Sequence, residues 1–462
     1  MKELDGLDLL HIDEMLDDEE RMARDTVRQW VDDRVLPHVE EWAWDCHFPR
    51  ELAKELGSLD LLGAPYSDFD LPGVNAVTYG LINRELERGD SGLRSFVSVQ
   101  TSLVMYPILT WGSHGQKERW IPSLGRGDAI GCFGLTEPDF GSNPGGMRTR
   151  AVRDGDHWVI SGEKAWITNG AIADIAVVWA KTDEGVRAFL VEAGTPGFST
   201  VEHKGKYSLR MSVTSQLVFE DCRIPLDAIL PASTGLKNAL QCLNQARFGI
   251  AWGALGSAMA TFGAALSYAK SRIQFGGRPI AAHQIQQQKL VWMYSEILKG
   301  QLVALQIGRL KDRDQLHHEA VSLAKRNNVW VARECAKLSR EIHGAAGIVN
   351  EFPIMRHLMN LETVYTCEVY APYSYTGTWS VPHGNPRLRT TAGVTPDTRC
   401  WMLDAGCCKQ VTHPANFDFA WRQSSNDVPA DHADWPRCFS WIGFSFSALP
   451  AGKLGRVGGS SI

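Results

Sequence analysis

The hydrophobic period of this 462-residue chain changes twice, from helical to two and back to helical. That switch restricts the fold more than any single residue does. Up to residue 128, apolar residues recur at helical spacing, as in Glu19 to Val35, Val77 to Glu87 and Phe96 to Trp111, with glycine and proline breaks between 63 and 73. From 129 to 235 the pattern alternates in short runs such as Trp158-Val159-Ile160, Ala176-Val177-Val178-Trp179, Ala188-Phe189-Leu190-Val191 and Gln216-Leu217-Val218-Phe219, set between turn residues. Helical spacing returns in 236–272, 283–312 and 317–346, long enough to pack as an antiparallel bundle. The expectation is an α+β chain: an N-terminal helical domain (1–128), a central β-domain (129–235), a C-terminal helical bundle (236–368) and an anomalous tail (369–462).

Composition removes several classes of function. A net charge of −6 provides no basic footprint for nucleic acid. No uncharged apolar run reaches the ~20 residues of a membrane span. The ten cysteines are scattered without metal-ligand spacing, which reads as reduced thiols and no metal site. The acidic start, MKELDGLDLLHIDEMLDDEERMARD, has neither a signal-peptide core nor an arginine-rich transit pattern. The expected location is the bacterial cytoplasm, or the mitochondrial matrix for a mature organellar form.

Residues 132–170 carry the most chemical information. Phe133 and Leu135 lead into Thr136-Glu137-Pro138, then a loop with Gly141 and Ser142, and after alternating strands come Trp166-Ile167-Thr168. Loop N–H groups and hydroxyls with an indole close behind suit a flat ring whose edge needs donors and whose face needs an apolar cover. Further on, Arg247 lies in a helix among apolar residues, which predicts a buried partner. Arg272 and Phe275 precede Gln284, and an arginine fork suits phosphate. In Glu341-Ile342-His343-Gly344-Ala345-Ala346-Gly347, small residues would let a pyrophosphate approach the backbone.

The order of these pieces across residues 1–368 resembles the acyl-CoA dehydrogenase family. The resemblance implies that family's fold: a helical domain, a β-sandwich or barrel-like domain and a four-helix bundle. It implies FAD as cofactor, an acyl-CoA substrate, electron-transfer flavoprotein as acceptor and a homotetramer. It assigns Phe133, Leu135, Thr136, Gly141, Ser142, Trp166, Ile167 and Thr168 to the flavin, together with Phe275, Glu341, His343, Gly344 and Ala345, and with Arg272 and Gln284 contacting it, often across a subunit boundary. Arg247 and Ser142 would lie beside the acyl-CoA. Met359-Asn360-Leu361-Glu362 followed by Thr366-Cys367-Glu368 matches the segment that carries the catalytic carboxylate in one branch, which makes Glu368 the expected base. A desolvated pocket would raise its pKa toward the working pH.

The stretch Glu87 to Pro107 is most similar to the glutaryl-CoA branch. Arg94, followed by Ser95 and preceded by Glu87, would meet a carboxylate at the far end of a short acyl chain, a charge that a fatty-acyl pocket would not want. The implied reaction is oxidation and decarboxylation of glutaryl-CoA to crotonyl-CoA. A short-chain dehydrogenase without decarboxylation, and a non-catalytic binding protein, are the alternatives.

After Glu368 the character changes. Residues 369–462 contain no Glu, two Lys, five Trp and four Cys, without sustained periodicity. Reading the possible codons one base out of step from Tyr370 allows Thr-His-x-Ile-His-Thr-Leu-Gly-Arg-Gly, close to the family's ending. The expectation is a one-base frame error just after Glu368, with the tail as its out-of-frame translation.

Overall fold

The computed structural model describes residues 8–367. Helices come first: α1 (Asp18–Trp30), α2 (Val39–Trp44), α3 (Glu51–Ser58), α4 (Ala76–Gly89), α5 (Ser91–Ser98), α6 (Tyr106–Trp111) and α7 (His114–Gly125). Their starts follow local chemistry. The Asp17 and Ser113 side chains each close a capping box, and Asn75 accepts from the Thr78 N–H. Asp90 ends α4 and caps α5 through the Gly92 N–H. The helix expected from Phe96 to Trp111 begins earlier, at Ser91, and passes through a π-helical stretch, Val99–Met105. Such widened turns re-aim side chains and are frequent at functional sites.

The strands are β1 (Gly131–Gly134), β2 (Arg150–Asp154), β3 (His157–Thr168), β4 (Ile175–Thr182), β5 (Gly185–Glu192), β6 (Phe198–Glu202) and β7 (Thr214–Pro225). They form one sheet in the order β1-β4-β2-β3-β7-β6, with β5 on β4. Its apolar side chains, among them Ile160, Val178, Phe189 and Leu217, make one core cluster. The β3–β7 register shifts between Ile160 and Gly162 and again between Lys164 and Ile167. An extra residue at such a bulge bends the strand and turns one side chain away.

The second helical region holds α8 (Leu236–Ser271), a small hairpin of β8 (Ile273–Gln274) and β9 (Arg278–Pro279), then α9 (Gln284–Asp312), α10 (His318–His343) and α11 (Ile354–Thr366). Helix α8 is long and apolar enough to cross a membrane by length and composition, yet 72% of its most apolar window is buried inside the protein. It is the central helix, packed against α4 and α10. The approach to α4 is close because glycines face it. A Cβ at Gly256 would meet the Arg84 backbone, and one at Gly253 would run into the Glu87 carboxylate. Helix α4 is buried along its whole length although it carries Arg84, Glu85, Glu87 and Arg88. Those charges are paired: Glu85 with Arg28, Arg84 and Arg88, and Glu87 with Arg94. Glu368 and the tail lie outside the described residues.

Candidate functional site

A cleft of about 1030 Å³ opens where the end of the sheet faces α5, its π-helical extension, α8 and α11. On the sheet side it is lined by Phe133, Leu135, Thr136, Ile167 and Thr168, with Gly141 and Ser142 from the loop after β1. Trp166 stands at the lip. It has a positive φ of 62° within the β3 bulge, and its indole is 64% exposed. A left-handed conformation is costly for a bulky residue, and here it turns the indole out of the sheet and into the cleft wall. His203 packs against that indole at 5.2 Å between ring centres. Three hydroxyls, apolar Phe133 and Leu135 and an indole make a donor set that fits a flat, polar-edged ring such as the flavin of FAD.

The opposite wall comes from α5 and the bundle. Arg94, Ser95, Ser98, Val99 and Leu103 line it, with Leu243 and Ile250 of α8. Arg94 is only 4% exposed. Its Nε donates to Glu87 Oε2 at 2.5 Å, and the Ser91 hydroxyl donates to the other Glu87 oxygen at 3.0 Å. Burial pushes the Glu87 carboxyl above its ordinary pKa while Arg94 and Ser91 pull it back. Glu87 stands behind Arg94 and does not itself line the cleft.

The third wall is the loop after β6 with the end of α11. Lys206 spans this loop, donating to the Leu209 carbonyl at 2.9 Å and the Thr214 hydroxyl at 2.7 Å. Burial lowers its pKa to about 8. The Asn360 amide oxygen accepts from the Leu209 N–H at 2.8 Å, so the loop is tied to α11. Glu362, Thr363, Thr366 and Cys367 line the cleft. Lys325 of α10 is buried and donates to the Cys367 carbonyl at 2.7 Å and the Tyr365 carbonyl at 3.3 Å, capping α11. Sequence reasoning passed over the 202–209 loop, whose only signal is a Lys-Gly-Lys run between two strands.

Ten of the expected site residues meet in this cleft: Arg94, Ser95, Phe133, Leu135, Thr136, Gly141, Ser142, Trp166, Ile167 and Thr168. Arg247 does not line it. The arginine is half-buried, and its Nη1 donates to Asn244 Oδ1 at 3.2 Å. A second group gathers at the far end of the bundle. Arg272, Gln284, Glu341, Gly344 and Ala345 are exposed there, and Phe275 is 82% exposed with a φ of 44°. Lys289 of α9 ties Glu341 at 2.7 Å. His343 differs from its neighbours. It is buried, stacked on Tyr268 at 4.3 Å and edge-on to Phe352 at 4.8 Å, with Nδ1 bound to the Ser339 carbonyl. Its surroundings are those of a packing residue. Glu368, the expected base, lies outside the described residues, immediately after the cleft-lining Cys367.

Comparison with known proteins agrees with this architecture. Models of the N-terminal, middle and C-terminal domains of acyl-CoA dehydrogenase match residues 17–128, 132–222 and 233–368. The human mitochondrial short-chain specific acyl-CoA dehydrogenase is 36% identical over 349 residues, 73% of this chain and 83% of that protein. A crystal structure of glutaryl-CoA dehydrogenase from Mycobacterium smegmatis is 53% identical with a TM-score of 0.79, covering 80% of this chain and 96% of that one. Another, of a glutaryl-CoA dehydrogenase from the same organism in complex with FADH2, is 48% identical with a TM-score of 0.80, covering 83% and 99%. With matches of this identity and extent, the chain belongs to the acyl-CoA dehydrogenase family.

Proposed function

We propose that this chain oxidises glutaryl-CoA with FAD and releases CO₂ to give crotonyl-CoA. The observation that carries the reading is Arg94: a guanidinium almost wholly buried, yet lining the cleft. Arg94 is paired with Glu87 behind it, and its guanidinium also lines the cleft, where a second carboxylate, such as the distal one of glutaryl-CoA, can accept from its remaining donors. The two glutaryl-CoA dehydrogenase structures at 53% and 48% identity support it.

Thr136, Ser142 and Thr168 would hold the polar edge of FAD, and Phe133, Leu135 and Trp166 its apolar surface. FAD, when bound, accepts the β-hydride. The chain itself must remove the α-proton. The carboxylates lining the cleft among the described residues are Glu202 and Glu362. Glu362 is engaged by the Arg333 fork at 2.8–3.1 Å. Glu202 faces Lys204 at 3.8 Å. Glu368 follows Cys367 directly and is the residue assigned to the proton. After oxidation the distal carboxylate is vinylogous to a β-keto acid, so its C–C bond can break with the electron pair delocalised toward the thioester carbonyl, and the dienolate left behind takes a proton at its γ carbon to give crotonyl-CoA. Arg94 would hold that carboxylate in place until CO₂ departs.

A second reading is a short-chain acyl-CoA dehydrogenase that does not decarboxylate. It is favoured by the 36% identity to the human short-chain enzyme and by Glu87, which already answers part of the Arg94 charge. Supplying the purified chain with glutaryl-CoA or butyryl-CoA and an artificial electron acceptor distinguishes them. Crotonyl-CoA with released CO₂ supports the first reading; oxidation of butyryl-CoA alone supports the second. Exposed Arg272, Phe275, Gln284, Glu341, Gly344 and Ala345 support an assembly, a homotetramer as the resemblance implies, in which they would meet the flavin of another copy. Electron-transfer flavoprotein is the proposed acceptor.

A further inference from the structure

The loop after β1, residues 136–148, forms one lip of the cleft; its internal ties are a backbone bridge between Glu137 and Phe140, one short turn at Pro144–Gly146 and the buried Met147. It contains three glycines and two prolines, and its tip from Gly141 to Asn143 is exposed. Such a segment has many accessible conformations and pays a large entropy cost to keep one. At the surface Arg148 pairs with exposed Asp139 at 3.0 Å and lies over the Phe140 ring at 5.3 Å, and an exposed ion pair of this kind is weak.

Beneath it lies a buried ion pair. Glu137 Oε1 accepts from Lys164 Nζ at 2.9 Å and from the Thr149 N–H at 3.0 Å, while Oε2 accepts from the Arg148 N–H at 2.6 Å. One carboxylate near the start of the loop therefore grips the backbone at its end. Lys164 also donates to the Leu135 carbonyl at 3.1 Å, and the neighbouring Ala165 N–H donates to the Thr136 carbonyl at 2.9 Å. Both side chains are almost completely buried. Lys164 sits in β3 two residues before Trp166, at the edge of the register shift. The pair thus links the two segments that carry Thr136, Ser142 and Trp166. Removing apolar surface from water does not explain two charges here; the hydrogen bonds they make to the loop backbone do.

We propose that Glu137 and Lys164 are positioning residues that brace the 136–148 loop against β3 and so set how tightly the cleft holds the flavin. The proposal rests on the assignment of FAD to this cleft. Glu137→Gln and Lys164→Met in the full-length chain test it, with FAD affinity read by quenching of flavin fluorescence. Each is expected to weaken binding by about tenfold or more, the loss of one charge-assisted bond that orders a binding loop. The double variant should lose little more than the worse single, because the two act as one unit. Trypsin should cut after exposed Arg148 faster, relative to its cutting after exposed Arg272. A control, Leu56→Ala in the buried N-terminal core, should lower the melting temperature yet leave FAD affinity and the Arg148 to Arg272 ratio as they were. Should single variants fail to fold, the double variant, which leaves no lone buried charge, takes their place. Unchanged affinity or an unchanged cleavage ratio in folded variants overturns the proposal. If the unsubstituted chain takes up no FAD, the flavin assignment itself falls and the brace is judged on the cleavage ratio alone, raised in support or unchanged against.

Discussion

Lys325 holds the carbonyl of Cys367 at 2.7 Å, and that carbonyl belongs to the peptide bond leading into Glu368. Together with the bond to the Tyr365 carbonyl at 3.3 Å, this contact ties the end of α11 to α10 at the last described residue. The proposed base, Glu368, is the next residue in the sequence and lies outside the described part.

Lys325→Met keeps the aliphatic stem and removes the three donors. Turnover with the better of the two acyl-CoA substrates should fall roughly tenfold or more, as expected when a reacting group is misplaced by a fraction of an ångström. The Michaelis constant should change little, since Lys325 does not line the cleft. Steady-state kinetics check both. Lys325→Arg should recover part of the loss.

Glu368→Gln should lower turnover by roughly 10²–10⁴-fold while leaving bound flavin in place, the loss typical of a missing general base. The visible absorbance of the purified variant reports the flavin and an acceptor assay reports turnover. Near-normal turnover would move the base to another carboxylate, and the consequence for Lys325 would fall with it.

Gly253→Ala places a methyl group where the Glu87 carboxylate lies. The collision should cost about 1–3 kcal/mol of stability, as overpacking does. It should also disturb the Glu87–Arg94 pair, so the preference between glutaryl-CoA and butyryl-CoA should shift. Chemical denaturation gives the first effect and substrate competition the second. Stability loss with an unchanged preference would detach Glu87 from specificity.

Acid should destabilise the chain through its buried histidines. Burial lowers the pKa of His343 from the ordinary 6.5, against the pull of the Ser339 carbonyl. Burial, with Arg356 and Arg88 nearby, lowers that of His357 further. Below pH 6.5 the unfolded chain takes up protons that the folded chain refuses, so stability falls as pH drops and these groups add nothing above it. The slope is at most about 1.4 kcal/mol per pH unit for each histidine. Urea midpoints at about pH 7 and about pH 5 measure it. His343→Phe, which keeps the stacking between Tyr268 and Phe352, should show a smaller loss.

The period switch made the order of helices, sheet and helices legible, because amphipathic spacing is a local property. The Phe133 to Thr168 segment was legible for the same reason: its residues are close in sequence and meet in one cleft wall. The turning of Trp166 was not, since it follows from a left-handed φ at a β-bulge whose register is set by pairing with β7. Nor was the Glu137–Lys164 pair, whose partners are 27 residues apart and meet only once the sheet is formed. The packing of His343 was not legible either, since its ring completes an aromatic stack that depends on Tyr268 and Phe352 from other segments.

The central claim is that Arg94 reads a carboxylate on the substrate. Arg94→Gln, compared with the unsubstituted chain on glutaryl-CoA and butyryl-CoA, tests it most directly. The account predicts that glutaryl-CoA kcat/KM falls by roughly 10²-fold or more, the scale for a charge left unpaired, while butyryl-CoA loses far less. Equal losses on the two substrates would contradict it.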